Sequence, residues 1–314
     1  MSQTRTVRVL TDVPDAWISR LAASFPSVEI VHLPESGPLP NALEGEIFVT
    51  VKHCSPHVEE LVKRGVRWIH MFGTGVDGFP FEALGGHPLT CSRGMSAVPI
   101  GEWVLAMLLA AEKKLPESWD TAADVGQWES FALGSLHGKT LGLVGMGGIG
   151  CAVAERALAF GMQVRACRRR PGPSPLARIE MTHFDELLPI ADHLVLAAPA
   201  TPETHQLLNA DAFARVKPGV HLVNVARGSL VDQEALRAAL DDGRVSLASL
   251  DVTDPEPLPE GHWLYSHPRV HLSGHISWSE PEAIDRILES LQENLALYLA
   301  DEPLRHVVDI ERGY

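Results

Sequence analysis

The chain has 314 residues, enough for two domains of the usual size of roughly 100–150 residues. Its 45% hydrophobic and 21% charged residues fit a folded globular protein and exclude a disordered one. A net charge of −14 argues against nucleic acid and anionic membranes as partners. The opening MSQTRTVRVLTD carries no apolar leader, and the longest apolar run, Val104 to Ala111, is far too short for a membrane span, so a cytoplasmic location is expected. Cys54, Cys91, Cys151 and Cys167 form no C-x-x-C pair and read as reduced thiols. The histidines include no H-E-x-x-H, and no metal is assigned.

In chain order, strand-like runs VRVL (7–10), VEIVHL (28–33), EIFVTV (46–51) and RWIHMF (67–72) alternate with helix-like stretches around 14–24 and 55–64. That rhythm predicts a parallel sheet with helices on its faces. A helix starts near Pro99 and runs through IGEWVLAMLLAAEKK, with proline near its first turn and lysines in its last. The polar stretch 116–137 reads as an arm crossing to a neighbouring lobe or subunit, or as a plain surface loop; Trp119, Trp128 and Phe131 hint at burial.

From Lys139 the rhythm restarts: TLGLVG, a helix over 149–160, MQVRAC, HLVLAA, a helix near 208–215, VHLVNVA, a helix over 232–240, and SLASLDV. These are the repeated units of a doubly wound nucleotide fold. The amphipathic stretch 280–299 is expected to return to the first lobe. The fold class is therefore α/β, with two doubly wound parallel-sheet (Rossmann/flavodoxin-like) domains, one of residues 1–99 with 277–314 and one of 100–276.

Gly145-Met146-Gly147-Gly148-Ile149-Gly150 matches G-x-G-x-x-G between a strand and a helix, the context a dinucleotide site requires. Gly145 suits the tight turn, Gly147 lets backbone approach a pyrophosphate, and Gly150 permits close helix–sheet packing, while the amides at the helix start, those of Gly148 and Ile149 included, face the phosphates. A glycine-rich turn that binds nothing is the alternative. At the end of the next strand, where a carboxylate would grip the ribose of NADH, the chain has Cys167-Arg168-Arg169-Arg170. Guanidinium groups suit a 2′-phosphate, so Arg168 and Arg169 predict NADPH as the preferred cofactor, NADH remaining possible; a solvated basic loop is the other reading.

HGKTLGLVGMGGIG, PATPETHQLLNADAFARVKPGVHLVNVARGSLVDQEAL, LDVTDPEPLP and GHIS, in this order, resemble the D-isomer-specific 2-hydroxyacid dehydrogenase family, and most its glyoxylate/hydroxypyruvate reductase branch. The resemblance covers the second lobe and, more loosely, the first. It implies reversible hydride transfer between NADPH and a small 2-keto acid in the cleft between a substrate-binding first domain and a dinucleotide-binding second one. It also implies a homodimer built around the nucleotide lobes and the 116–137 arm.

The resemblance further implies a catalytic triad of Arg227, Glu256 and His275. Arg227 would grip the keto-acid carboxylate with its planar fork, His275 would exchange a proton with the keto oxygen, and Glu256 would orient the imidazole and favour its charged form. Pro199, Thr204, Val225, Ala226 and Asp251 match positions lining the nicotinamide side, with Asp251 toward the carboxamide. In GTGVD (73–77), Thr74 and Gly75 match a loop holding the substrate carboxylate, and Lys52 and His53 fall near another substrate-facing loop.

The chain departs from the family pattern where Gly274 stands for a proline before the histidine and where Ser277-Trp278 follow it; Trp278 could reshape the pocket or cap a lobe interface. A cofactor-sensing corepressor on the same fold is the rival reading. Formate oxidation is disfavoured, because those relatives carry glutamine where Glu256 stands.

Overall fold

The computed structural model describes residues 6–34, 36–51, 55–119, 132–170 and 172–314. Lys52, His53, Cys54, Trp128 and Phe131 lie outside them. The chain divides into two compact units, Met1–Ser96 with Glu280–Tyr314, and Ala97–Ser279. Each junction falls three residues from the boundary drawn on the sequence, at 96/97 against 99/100 and at 279/280 against 276/277.

In the first unit the chain runs β1 (Val7–Thr11), α1 (Asp15–Ile18), α2 (Arg20–Ser24), β2 (Val28–His32), β3 (Ile47–Thr50), α3 (Val58–Lys63), β4 (Trp68–Met71) and β5 (Leu89–Cys91). All strand pairs are parallel, in the order β2-β1-β3-β4-β5. Alternation along the strands builds two cores, because successive side chains point to opposite faces. Val7, Val9, Ile47, Val49 and Trp68 join one cluster, whereas Leu10, Phe48, Ile69 and Met71 join the other with Leu61 of α3.

The first cluster is completed by Ile287, Leu288, Leu291 and Leu295 on one stripe of the C-terminal helix, Ala283–Leu299. Burial stabilises by at most about 1.5–3 kcal/mol for each such side chain. The stretch 280–299 thus returns to the first unit through apolar contacts spaced at helical intervals.

The second unit holds α4 (Ala97–Lys113), β6 (Thr140–Val144), α5 (Gly148–Ala159), β7 (Gln163–Cys167), β8 (Ile179–Met181), α6 (Phe184–Leu187), β9 (His193–Leu196), α7 (Ala210–Phe213), β10 (Val220–Asn224), α8 (Gln233–Asp241), β11 (Val245–Leu250) and β12 (Val270–Leu272). Its seven parallel strands lie in the order β12-β11-β10-β9-β6-β7-β8. The winding direction reverses between β6 and β9, the place where such sheets bind ligands at their carboxyl ends. Asn209 and Asp232 cap α7 and α8 by accepting from backbone N–H groups of the first turn. Helix α4 packs on α5 at Gly101, where a Cβ would come within 3.1 Å of the Ala152 Cβ.

Strands β5, β8 and β12 were not expected from the sequence. Each has three residues, too few for alternation to be read, and each lies at a sheet edge. Helix α4 begins two residues before Pro99, and Trp119, expected to be buried, is 71% exposed. Among the described residues no helix is long and apolar enough to cross a membrane, and no cluster of His, Cys, Asp or Glu is arranged to hold a metal ion.

Both sheets bury neutral histidines. In the first, Trp68 Nε1–H donates to Thr90 Oγ1 (2.8 Å), and the His70 ring bridges that hydroxyl (Nδ1, 2.7 Å) and Ser92 Oγ (Nε2, 3.3 Å). In the second, His193 Nε2 lies 3.2 Å from the Glu112 carboxylate, His193 Nδ1 is 3.2 Å from His221 Nδ1, and His221 Nε2 is 2.9 Å from Ser249 Oγ. Burial pushes His70 down to about 3 and His193 to about 4, and holds His221 well below the usual imidazole range.

Between pH 6.5 and these lowered values the unfolded chain binds protons that the folded chain refuses, so stability is complete above pH 6.5 and is lost on acidification. At pH 5 the loss comes to about 2 kcal/mol for each such imidazole. We expect the thermal midpoint to fall steeply from pH 7 to pH 5 and His70→Gln to flatten that slope; equal slopes for the two proteins would contradict the assignment.

Candidate active site

The residues singled out in the second unit emerge from the carboxyl ends of six neighbouring strands. Gly145 follows β6, Arg168 follows β7, Pro199 and Thr204 follow β9, Val225 to Arg227 follow β10, Asp251 and Glu256 follow β11, and His275 follows β12. Sheet order therefore gathers along one edge what the sequence spreads over 130 positions, from 145 to 275.

The glycines of the turn have separate physical reasons. Gly145 sits at φ +105°, and a Cβ there would meet the Ala197 carbonyl oxygen at 2.6 Å. At Gly150 a Cβ would lie 2.2 Å from the Gly145 oxygen, so the helix can close on the turn only without a side chain. A Cβ at Gly147 would meet no atom of the described protein within 4 Å. Packing alone thus does not require glycine there, whereas a phosphate approaching the backbone would. Gly147 is also the N-cap of α5 and supplies no side-chain acceptor, which leaves the first-turn amides of Gly148, Ile149 and Gly150 for an anion. These residues fit a dinucleotide pyrophosphate.

Strand register places Cys167 beside Val144, and the Gly145 N–H donates to the Cys167 carbonyl (2.9 Å), so Arg168 emerges next to the turn. Its guanidinium donates to the Pro173 carbonyl (3.0 Å), and Arg169 lies 3.7 Å from Glu203. The Thr204 hydroxyl is engaged locally, donating to the Pro199 carbonyl (2.8 Å) and accepting from the Thr201 N–H (2.8 Å). Val225 and Ala226 are buried.

Asp251 is 1% exposed, and its carboxylate is surrounded by donors from the histidine loop. Oδ1 accepts from Ser273 Oγ (2.5 Å) and the Ile276 N–H (2.9 Å), and Oδ2 from the Ser277 N–H (3.0 Å); its backbone carbonyl takes the His275 N–H (2.8 Å). Expected to face a cofactor amide, this side chain fastens the 273–277 segment to β11. Held there, His275 adopts φ +55°, a left-handed conformation costing a non-glycine residue about 1–2 kcal/mol.

His275 Nδ1 lies 2.7 Å from Glu256 Oε1. A carboxylate can only accept, so Nδ1 carries a hydrogen and Nε2 is the nitrogen left to exchange a proton with a bound molecule. Both side chains are a little over one-third exposed, which keeps them within reach of a ligand.

The Arg227 turn is shaped by Asn224, whose side chain accepts from the Ala226 N–H (3.0 Å) and donates to the Arg227 carbonyl (2.9 Å). Arg227 Nη1 donates to the Ala226 carbonyl (2.8 Å). Sequence reasoning missed Gly228. A Cβ there would fall 1.9 Å from the Thr253 carbonyl carbon and 2.5 Å from the Asp254 nitrogen, so the Arg227 turn and the segment leading to Glu256 approach backbone to backbone. The signal available was the glycine after Arg227, but its partner lies 25 residues away, from 228 to 253.

In the first unit, Thr74 and Gly75 follow β4 on a partly exposed turn, with Thr74 Oγ1 donating to the Ser92 carbonyl (3.0 Å). That hydroxyl closes the loop on the strand next door.

Residues 105–277 match the profile of the D-isomer-specific 2-hydroxyacid dehydrogenase NAD-binding domain. The chain is 39% identical over 216 residues to the D-3-phosphoglycerate dehydrogenase of Mycobacterium leprae, a match covering 68% of this chain and 40% of that one. It thus spans well under half the length of that relative. A glyoxylate/hydroxypyruvate reductase B of Escherichia fergusonii is 30% identical over 306 residues, covering 90% of this chain and 94% of the relative. Among solved structures, a D-isomer-specific 2-hydroxyacid dehydrogenase from Xanthobacter autotrophicus, in complex with NADPH and MES, superposes with a TM-score of 0.85 at 27% identity, covering 98% of this chain and all of that one.

Because the contact at Gly228 is with backbone, neither side can yield by a rotamer change. Gly228→Ala is expected to lower stability by about 1–3 kcal/mol, measured by urea unfolding; an unchanged midpoint would mean that the two loops part freely.

Proposed function

The chain belongs to the D-isomer-specific 2-hydroxyacid dehydrogenase family, and from that premise we propose that it reduces a small 2-keto acid of the glyoxylate or hydroxypyruvate kind to the 2-hydroxy acid, with NADPH as the preferred reductant. The observation that carries the reading is the Glu256–His275 pair at 2.7 Å on the edge that also bears Arg227 and the glycine turn. A relative of nearly equal length is a glyoxylate/hydroxypyruvate reductase, which favours that substrate class.

The amides of Gly148, Ile149 and Gly150 would hold the pyrophosphate of the cofactor, and Arg168 with Arg169 the phosphate on its adenosine ribose. When bound, the reduced nicotinamide supplies the hydride. Arg227 pairs its fork with the substrate carboxylate, an arrangement a lysine cannot copy because its ammonium is a point charge. His275 delivers a proton from Nε2 to the keto oxygen as negative charge develops there, and takes it back in the oxidative direction. Glu256 accepts from Nδ1 throughout, fixing the ring orientation and balancing the imidazolium. Thr74 and Gly75 are assigned to the carboxylate end of the substrate on the family resemblance.

The reading is tested by purified protein with NADPH or NADH against glyoxylate, hydroxypyruvate, pyruvate, phenylpyruvate and 2-ketogluconate. We expect turnover of the first two, and His275→Ala should lower kcat at least a hundredfold, in keeping with the usual size of acid–base catalysis, while leaving NADPH affinity within about twofold. NADPH binding with no turnover of any keto acid would point instead to a cofactor sensor. For cofactor choice, Arg168→Asp should shift the NADPH/NADH ratio of kcat/KM at least tenfold toward NADH, the order of effect expected when one charged hydrogen-bond partner of a phosphate is lost; an unchanged ratio would remove Arg168 from the phosphate site.

A further inference from the structure

We propose that Trp278 is a positioning residue for His275, its indole N–H locking the peptide group that follows the histidine and so helping to fix where the imidazole points. The inference rests on His275 as the acid–base group. It concerns a residue that acts through it.

A left-handed histidine holds its conformation only if its surroundings fix it. The peptide group joining His275 to Ile276 is gripped at both ends. Its carbonyl accepts from Trp278 Nε1 (2.9 Å), and its N–H donates to Asp251 Oδ1 (2.9 Å). These two bonds point in opposite directions from one rigid plane, so a flip of that plane would break both at once. The other bonds of the segment, from the His275 and Ser277 N–H groups, also end on Asp251. On the carbonyl side the holder is Trp278.

The ring is itself anchored: Trp278 is partly buried and packs against the core cluster whose members include Ile100, Val104, Met146 and Val225. The Ser279 N–H closes the turn on the Ile276 carbonyl (2.8 Å). A bulky residue next to a catalytic loop could instead serve only to narrow the pocket, and the two roles separate in kinetics. A wall changes KM or substrate preference, whereas a lock on the acid changes the proton-transfer step.

Two replacements isolate the N–H. Trp278→Phe keeps an aromatic ring in the core, and benzothienylalanine at 278 keeps the indole shape with sulfur in place of the N–H. For both we expect kcat with glyoxylate and NADPH to fall about tenfold, with KM for glyoxylate and Kd for NADPH within twofold of the parent, and the solvent deuterium isotope effect on kcat to rise. A parental kcat in the sulfur isostere would overturn the proposal, as would a change confined to KM or to the thermal midpoint.

The His275→Ala control separates this test from that of the activity. If His275→Ala keeps parental turnover, the functional reading fails by itself. The lock is then judged by NMR on the ligand-free protein, where the His275 Cε1–H line should be single and sharp in the parent and broadened or split in both variants. Identical lines in all three proteins would refute it.

Discussion

One buried carboxylate organises the edge of the second sheet. Asp251 sits at the end of β11 with almost no exposure, where an uncompensated charge would cost several kcal/mol. Three hydrogen-bond donors from the 273–277 segment compensate it, and each of them is also satisfied by doing so. The segment cannot swing away without stranding the charge and its own amides together. A loop that follows a three-residue edge strand is thereby tied to the neighbouring strand β11.

That constraint spreads sideways through backbone contacts. Gly228 lets the Arg227 turn lie against Thr253 and Asp254, three and two residues before Glu256, and Glu256 meets the imidazole that Asp251 has fixed. Guanidinium, carboxylate and imidazole thus belong to consecutive strands, β10, β11 and β12, tied at their ends by contacts made largely of main chain. On the other side of the switch point, Gly145 and Gly150 serve the same purpose for the glycine turn by removing the Cβ atoms that would hold it apart from the Ala197 segment and the helix. Main-chain approach at Gly228 and the buried Asp251 carboxylate together place these three side chains along one edge.

Much of this could be read in the sequence, and the omissions have physical causes. Long apolar runs such as VHLVN announced buried parallel strands because both faces of the sheet are covered. The Gly145–Gly150 motif was legible because strand, turn and helix are contiguous. Arg227, Glu256 and His275 were recognisable only through the motifs around them; taken singly, each residue type at a strand end has many ordinary uses. Gly228 and Asp251 were harder. Their meaning lies in partners 25 and 22 to 26 residues away, at 253 and at 273–277, and no local pattern encodes such a pairing. Trp278 stood out as a departure, yet the atom it bonds depends on a backbone conformation that only coordinates reveal.

The discontinuity of the first unit has a consequence for biosynthesis. Strands β1 to β5 are synthesised first, whereas Ile287, Leu288, Leu291 and Leu295, which pack on one face of their sheet, are synthesised only after the whole second unit. Translation of the roughly 180 intervening residues takes about 10–40 s at ordinary rates. Through that interval Val7, Val9, Ile47, Val49 and Trp68 have only Val13, Ile18 of α1 and Leu21 of α2 from the early part of the chain packed with them, so their cluster is incomplete. The nascent polypeptide must wait for the helix Ala283–Leu299 before its first unit is finished.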